Sequence, residues 1–240
     1  MHRRLESTQS VDLLEMLFGE RRRRSDRPWV MLNMVVSIDG ATAVGGGATG
    51  LNDADDRDMF LALRAVADVV LNGAETVRSE NLGPISMSDE MVEFRKRVGK
   101  SHAPTMAIAT RSLALDEGHR IFSDPRSRPM VITGRDADPE RVGSLAEVAD
   151  VVQVDELDGE GLIGAVGDVE VVLCEGGPTI NSHLIDADVV DEVNLTISPV
   201  LALGESSRMA MGAPLQTPTK MALDRALIGE ESLFLRFVRT

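Results

Sequence analysis

Trp29-Val30-Met31-Leu32-Asn33-Met34-Val35-Val36-Ser37 decides the fold. Seven of the nine residues are apolar and they do not alternate with polar ones, so both faces of the strand they form must be covered, as in the interior of a parallel sheet. Outward from it, residues 54–67 place Met59, Leu63 and Val66 on one helical face, and Asp68-Val69-Val70-Leu71-Asn72-Gly73 follows as a second buried strand. Further strands are expected at 105–110, 130–133, 151–154, 169–174 and 192–197, and helices at 87–98, 157–166 and 179–187. That alternation predicts right-handed crossovers and an α/β, three-layer domain, its mainly parallel central sheet covered by helices on both faces. Residues 233–238 arrive without an intervening helix and are expected as an antiparallel C-terminal strand. Residues 29–240 read as a single domain. The leader, 1–28, carries a short docking helix at 10–19, and its four-arginine run at 21–24 reads as a solvated linker.

Composition narrows the function. The chain has 240 residues with 43% hydrophobic and 27% charged side chains, which is globular rather than disordered. Lys plus Arg number 25 against 39 Asp plus Glu, a net charge of 25 − 39 = −14, so nonspecific attraction to nucleic acid or an anionic membrane is disfavoured. Any bound phosphate must be held by local groups. The single cysteine, Cys174, allows no internal disulfide, and its apolar strand makes it a core residue rather than a nucleophile. His2, His102, His119 and His183 stand singly, with no zinc spacing, so no metal is expected. No stretch approaches the ~20 apolar residues of a membrane span. A cytoplasmic protein is the expectation.

In a parallel sheet, ligands gather where strands end and helices begin, because backbone N–H groups and the helix dipole converge there. Cys174-Glu175-Gly176-Gly177-Pro178-Thr179 is one such junction, where Gly-Gly reads as a tight turn or a close backbone approach to a diphosphate. Glu175 favours the site, since a carboxylate just past a buried strand is costly unless a ligand or neighbouring donor binds it. The segment from Asn72 through Gly73, Ala74, Glu75, Thr76 and Val77 to Arg78 is a second junction, or a capped loop. Ser37-Ile38-Asp39-Gly40 is a third, or a turn. Gly45-Gly46-Gly47 reads as a flap. Thr110-Arg111-Ser112 and Thr133-Gly134-Arg135 each set a hydroxyl near a guanidinium, a pairing suited to the 2′-phosphate of NADPH.

Together, residues 33–40, 63–78, 175–179 and 191–199 resemble the pyrimidine reductase family, the dihydrofolate-reductase-like reductase domain of riboflavin biosynthesis. The likeness runs from Trp29 to Gly204 and on toward the C-terminus. It implies a reductase domain without the family's deaminase half, NADPH as cofactor, and a homodimer. It places Gly73, Ala74, Thr76 and Val77 along the nicotinamide, and Glu175, Gly176, Gly177, Pro178 and Thr179 around the cofactor. Ser37 and Asp39 are implied in the central cleft, and Arg64, Glu80 and Asn81 at the ribityl or ribosyl phosphate of the substrate, with Arg64 and Arg78 the cations for that phosphate. Asn33, also at the substrate, stands where the family often has a basic residue. Segment 48–52 lacks the family's common tryptophan, Glu75 replaces a small residue, and Asn72 an apolar one.

The implied chemistry is hydride transfer to the sugar C1 of a ribosylaminouracil phosphate, with Glu175, Glu80 or a water assisting the proton. Two other readings stand beside it. One is a dihydrofolate-type pterin reductase, favoured by Asn33. The other is a nucleotide-binding protein without turnover, raised by Glu75 beside the nicotinamide.

Overall fold

The computed structural model describes residues 10–124 and 127–240. Nine strands form one sheet in the order β5-β4-β3-β2-β6-β1-β7-β9-β8. They are β1 (Trp29–Ser37), β2 (Val69–Gly73), β3 (Thr105–Ala109), β4 (Met130–Gly134), β5 (Asp150–Val154), β6 (Val171–Cys174), β7 (Glu192–Ser198), β8 (Met221–Ile228) and β9 (Leu233–Arg239). All pairings from β5 across to β7 are parallel; β9 runs antiparallel to both β7 and β8.

The central strands are apolar on both sides because both sides are covered. Met31, Val70 and Leu173 join one core with α1 (Leu13–Gly19), α2 (Ala54–Val66) and α4 (Asp89–Arg97). Val30, Leu32, Leu71 and Cys174 face the other, under α6 (Gly159–Ala165) and α7 (Pro178–Asp186). Burial raises the Cys174 thiol to about 12, which removes it as a nucleophile.

Three elements go beyond the sequence reading. Helix α3 (Ala74–Ser79) occupies a segment read as a loop; it has six residues and a glycine N-cap, so neither length nor cap announces it. Helix α5 (Pro139–Ala146) starts behind Asp138, whose side chain accepts from Glu140 N–H, and has proline in its first turn, a start signal carried by the sequence itself. Strand β8 is the third, and it changes the meaning of the last apolar run: β9 is not an exposed edge, because β8 covers it.

The arginine run is a solvated linker only at Arg21 and Arg23, which are exposed. Arg22 is buried and donates from Nε to Glu192 Oε2 at 3.0 Å, while Arg24 and Arg27 both bind Asp191. These contacts clamp the leader onto the start of β7. Only α1's boundary differs from the expected docking helix: Asp12 is the cap, accepting from Glu15 N–H, and the helix begins at Leu13.

Candidate functional site

The parallel strands β2, β3 and β6 point their C-terminal ends at one cleft of about 690 Å³, which the middle of β1 also lines. The β2–α3 junction brings Gly73, Ala74 and Thr76 to it, the β6–α7 junction brings Glu175, Gly177, Pro178 and Thr179, and the turn after β3 brings Thr110, Arg111 and Ser112. Asn33, from the middle of β1, and Glu80, at the end of α3, complete the expected lining residues. The two glycine-bearing junctions touch: Gly73 N–H donates to Gly176 O at 2.9 Å, and a Cβ on Gly177 would stand 3.2 Å from Thr76 Oγ1. Helix α7 starts at Gly177 with no side-chain cap and with proline in its first turn, which leaves its early N–H groups directed at the cleft without an internal competitor.

Glu175 is the most constrained group here. Arg64 reaches from α2 and grips it with two hydrogen bonds, Nε to Oε1 at 2.6 Å and Nη2 to Oε2 at 2.7 Å, and Asn72 Nδ2 adds a third at 2.9 Å. The guanidinium carbon lies 4.1 Å from the centre of the Phe60 ring, which itself lines the cleft. Both Glu175 oxygens therefore act as acceptors, and the carboxylate is a fixed wall of the cleft. This corrects the reading of Arg64. Its guanidinium is committed to Glu175 and lies outside the lining residues. Arg78 lines the cleft but is committed to Glu75 and to Ala114 O. The Glu75 that departs from the family pattern thus has a partner on its own helix.

Other expected residues fall elsewhere. Val77 is fully buried in the core. Gly176, at φ +100°, sits behind the lining and serves the Gly73 contact. Arg135 pairs with Asp155 on the surface, away from the cleft. Asn81 is an exposed residue at φ 46° whose carbonyl accepts from Arg120. Ser37 donates to Asp39 Oδ1 at 2.5 Å, and Asp39 in turn accepts from Ala202 and Leu203 N–H. The Ser37 hydroxyl and those two N–H groups hold the Asp39 carboxyl down at about 2. These two residues tie the turn after β1 to the loop after β7 rather than lining the cleft.

The sequence reading missed Asn52, just before the cap of α2, and Asp56 and Phe60, one turn apart within it, all of which line the cleft. It also missed how the glycine flap is held. Ser206 Oγ accepts from Thr42 and Ala43 N–H, and Glu80 Oε1 accepts from Ala48 N–H at 3.2 Å, so both ends of the segment 42–48 are fastened over the cleft. Among the described residues no group of three or more His, Cys, Asp or Glu side chains could hold a metal, and no helix is long and apolar enough to cross a membrane.

Residues 28–231 match the RibD C-terminal domain. The chain belongs to that family. A 2,5-diamino-6-ribosylamino-4(3H)-pyrimidinone 5′-phosphate reductase from Methanothermobacter thermautotrophicus is 25% identical over 194 residues, covering 76% of this chain and 82% of that protein. The crystal structure of a pyrimidine reductase-like protein from Corynebacterium diphtheriae superposes with a TM-score of 0.80 at 24% identity, over 89% of this chain and 92% of the other. Dihydrofolate reductase from Enterococcus faecalis shares the fold at a TM-score of 0.51 and 12% identity, over 88% and 96% of the two chains. The dihydrofolate-reductase-like architecture expected from the sequence is therefore the one found.

In this RibD C-terminal domain the space between Gly177 and Thr76 borders the cleft and yields a direct test. Gly177→Val is expected to fill it and to weaken binding of a dinucleotide at least ~10-fold, about 1.4 kcal/mol. Gly177 suits the test better than Gly176, because φ at Gly176 is left-handed and any side chain there strains the backbone as well. A folded Gly177→Val protein with unchanged affinity for NADPH, measured by fluorescence titration, removes the dinucleotide from this gap.

Proposed function

We propose that this chain is an NADPH-dependent oxidoreductase of riboflavin biosynthesis that reduces a phosphoribosylaminopyrimidine, either the 2,5-diaminopyrimidinone or its deaminated uracil counterpart. The observation that carries this is the cleft itself. An uncapped helix start, two glycine-bearing junctions and the Arg111 side chain line it together with Asn33, Asp56 and Phe60. Family membership and the activity named for the Methanothermobacter relative support the same reading.

The residues fit the cofactor. Early N–H groups of α7 suit a diphosphate, and Gly73 and Gly177 present bare backbone to the cleft. Arg111 enters no ion pair or side-chain hydrogen bond among the described residues, so it is available to the 2′-phosphate, whereas Arg135 is already paired. NADPH, when bound, supplies the hydride that with one proton converts the ring-opened sugar imine to an amine. The chain's part is orientation: the Glu175–Arg64–Asn72 lattice fixes one wall of the cleft, and the fastened flap borders it. Arg111→Ala is expected to lower NADPH affinity about tenfold while leaving NADH nearly unchanged; an equal loss for both cofactors removes the assignment.

Commitment of both Arg64 and Arg78 to carboxylates favours a second reading, a pterin reductase, since a pterin needs no sugar-phosphate site. Following NADPH oxidation with the diaminopyrimidinone phosphate, the uracil phosphate and dihydrofolate decides between them. Oxidation with dihydrofolate alone overturns the main reading. The homodimer belongs to the same proposal, with β8 as the sheet edge left open and with Leu223 and Ile228 exposed on it; light scattering that shows only a 25.9 kDa species removes it.

A further inference from the structure

Asp56 sits in the first turn of α2, where its backbone N–H is held by Asp53 Oδ1 at 2.7 Å. Acids in this position are ordinarily exposed and answer the helix dipole. Asp56 instead turns inward: it is 8% exposed and lines the cleft, as do Asn33 and Phe60. Thr196, from β7, neighbours its carboxylate. With its amide turned to satisfy both neighbours, Asn52 donates to Asp56 Oδ2 at 3.3 Å and to Ala48 O at 3.2 Å. No cation among the described residues pairs with it. Burial raises its pKa, Thr196 opposes that rise, and the charge of Asp53 adds to it. A buried carboxylate without a cation calls for donors, and the side of Asp56 left open faces the cleft.

A carboxylate offers two acceptors side by side. The two pyrimidines left open above differ at one group that tests this pattern. The 2-aminopyrimidin-4-one carries N3–H and C2–NH2 in line, two donors. Its uracil counterpart carries N3–H and C2=O, a donor and an acceptor, and sets an oxygen lone pair against the carboxylate. We propose that Asp56 is a specificity-determining residue that receives the N3–H and 2-amino edge of a 2-aminopyrimidin-4-one and turns away the uracil form. This rests on the acceptor being a pyrimidine bound in this cleft, as proposed above.

The test exploits the nearly isosteric Asp56→Asn, which replaces two acceptors by one acceptor and one donor and so matches uracil. The wild-type protein is expected to prefer the diaminopyrimidinone phosphate over the uracil phosphate by roughly 100-fold or more in kcat/KM. Asp56→Asn is expected to lower that ratio at least ~100-fold, and Asp56→Ala to abolish the preference without improving uracil. Thermal midpoints check folding, and Asp56→Ala carries the test where Asp56→Asn does not fold. A wild type that turns over both pyrimidines within about threefold, or variants that keep its ratio, overturns the proposal and leaves the reductase reading standing. Turnover of neither pyrimidine sinks the reductase reading instead. Calorimetric titration with the same two compounds then decides on Asp56 separately: tighter binding of the diamino form, lost in the variants, sustains the proposal, and equal or absent binding overturns it.

Discussion

Arg64→Ala is expected to destabilise the protein by roughly 3–5 kcal/mol, because it strands the Glu175 carboxylate in a site where its side chain is only 6% exposed. Two charge-assisted hydrogen bonds and the stacking on Phe60 disappear together, leaving Asn72 Nδ2 as the one side-chain donor to Glu175 among the described residues. The penalty comes from the unpaired charge more than from the lost attraction. The double variant Arg64→Met with Glu175→Leu, which removes both charges and keeps much of the volume, should therefore recover most of the stability while still losing NADPH affinity. Denaturant midpoints with unchanged slopes measure the first effect, and fluorescence titration the second. A single variant that loses less than ~1 kcal/mol would class the pair with ordinary surface ion pairs. Full NADPH affinity in the double variant would mean that Glu175 does not shape the cofactor site.

How the fold was legible follows from the same strands. A strand buried on two faces must be apolar on both, so β1, β2 and β6 announce themselves, and the glycines at their ends mark the cleft. Glu175 was legible as a residue in need of a donor, but the donor was not. Arg64 lies 111 positions away, and only the packing of α2 over the sheet brings the two together. Asp56 was illegible for a related reason. In sequence it is one of several acids opening a helix, and only the apposition of β7, with Thr196, makes it a buried wall of the cleft. Strand β8 escaped notice because its residues face partly outward and carry Asp224 and Arg225 in their midst, so no clean period of two remains. The arginine run misled because a like-charge block is soluble by itself, and its partners, Asp191 and Glu192, come from a strand more than 160 residues later.

Those partners set the acid stability of the fold. Glu192 is fully buried at the start of β7 and accepts from Arg22 Nε at 3.0 Å, Arg236 Nη2 at 2.8 Å, Trp29 Nε1 at 3.1 Å and Asn194 Nδ2 at 2.9 Å. Glu20 and Asp224 share the same arginines. Burial pushes the Glu192 carboxyl up, but the Arg236 hydrogen bond and the Arg22 charge and hydrogen bond outweigh it and bring the group from 4.5 down to about 2. A carboxyl whose pKa is lower in the folded than in the unfolded chain stabilises the fold above the unfolded value and loses that contribution as pH falls toward the folded one. The loss therefore runs from about pH 4.5 down to about pH 2, and amounts to about 3 kcal/mol. Asp39 titrates over the same range but is exposed, and it remains in any variant at position 192, so it cancels from the comparison. Glu192→Gln is expected to be less stable than the wild type at pH 7 by several kcal/mol, since Arg22 and Arg236 lose their shared acceptor. That deficit should shrink steadily below pH 4.5, as the wild-type carboxyl takes up its proton and comes to resemble the amide. Denaturant midpoints between pH 7 and pH 3 trace the difference, and a deficit that stays constant across that range would show that the arginines do not hold Glu192 ionised.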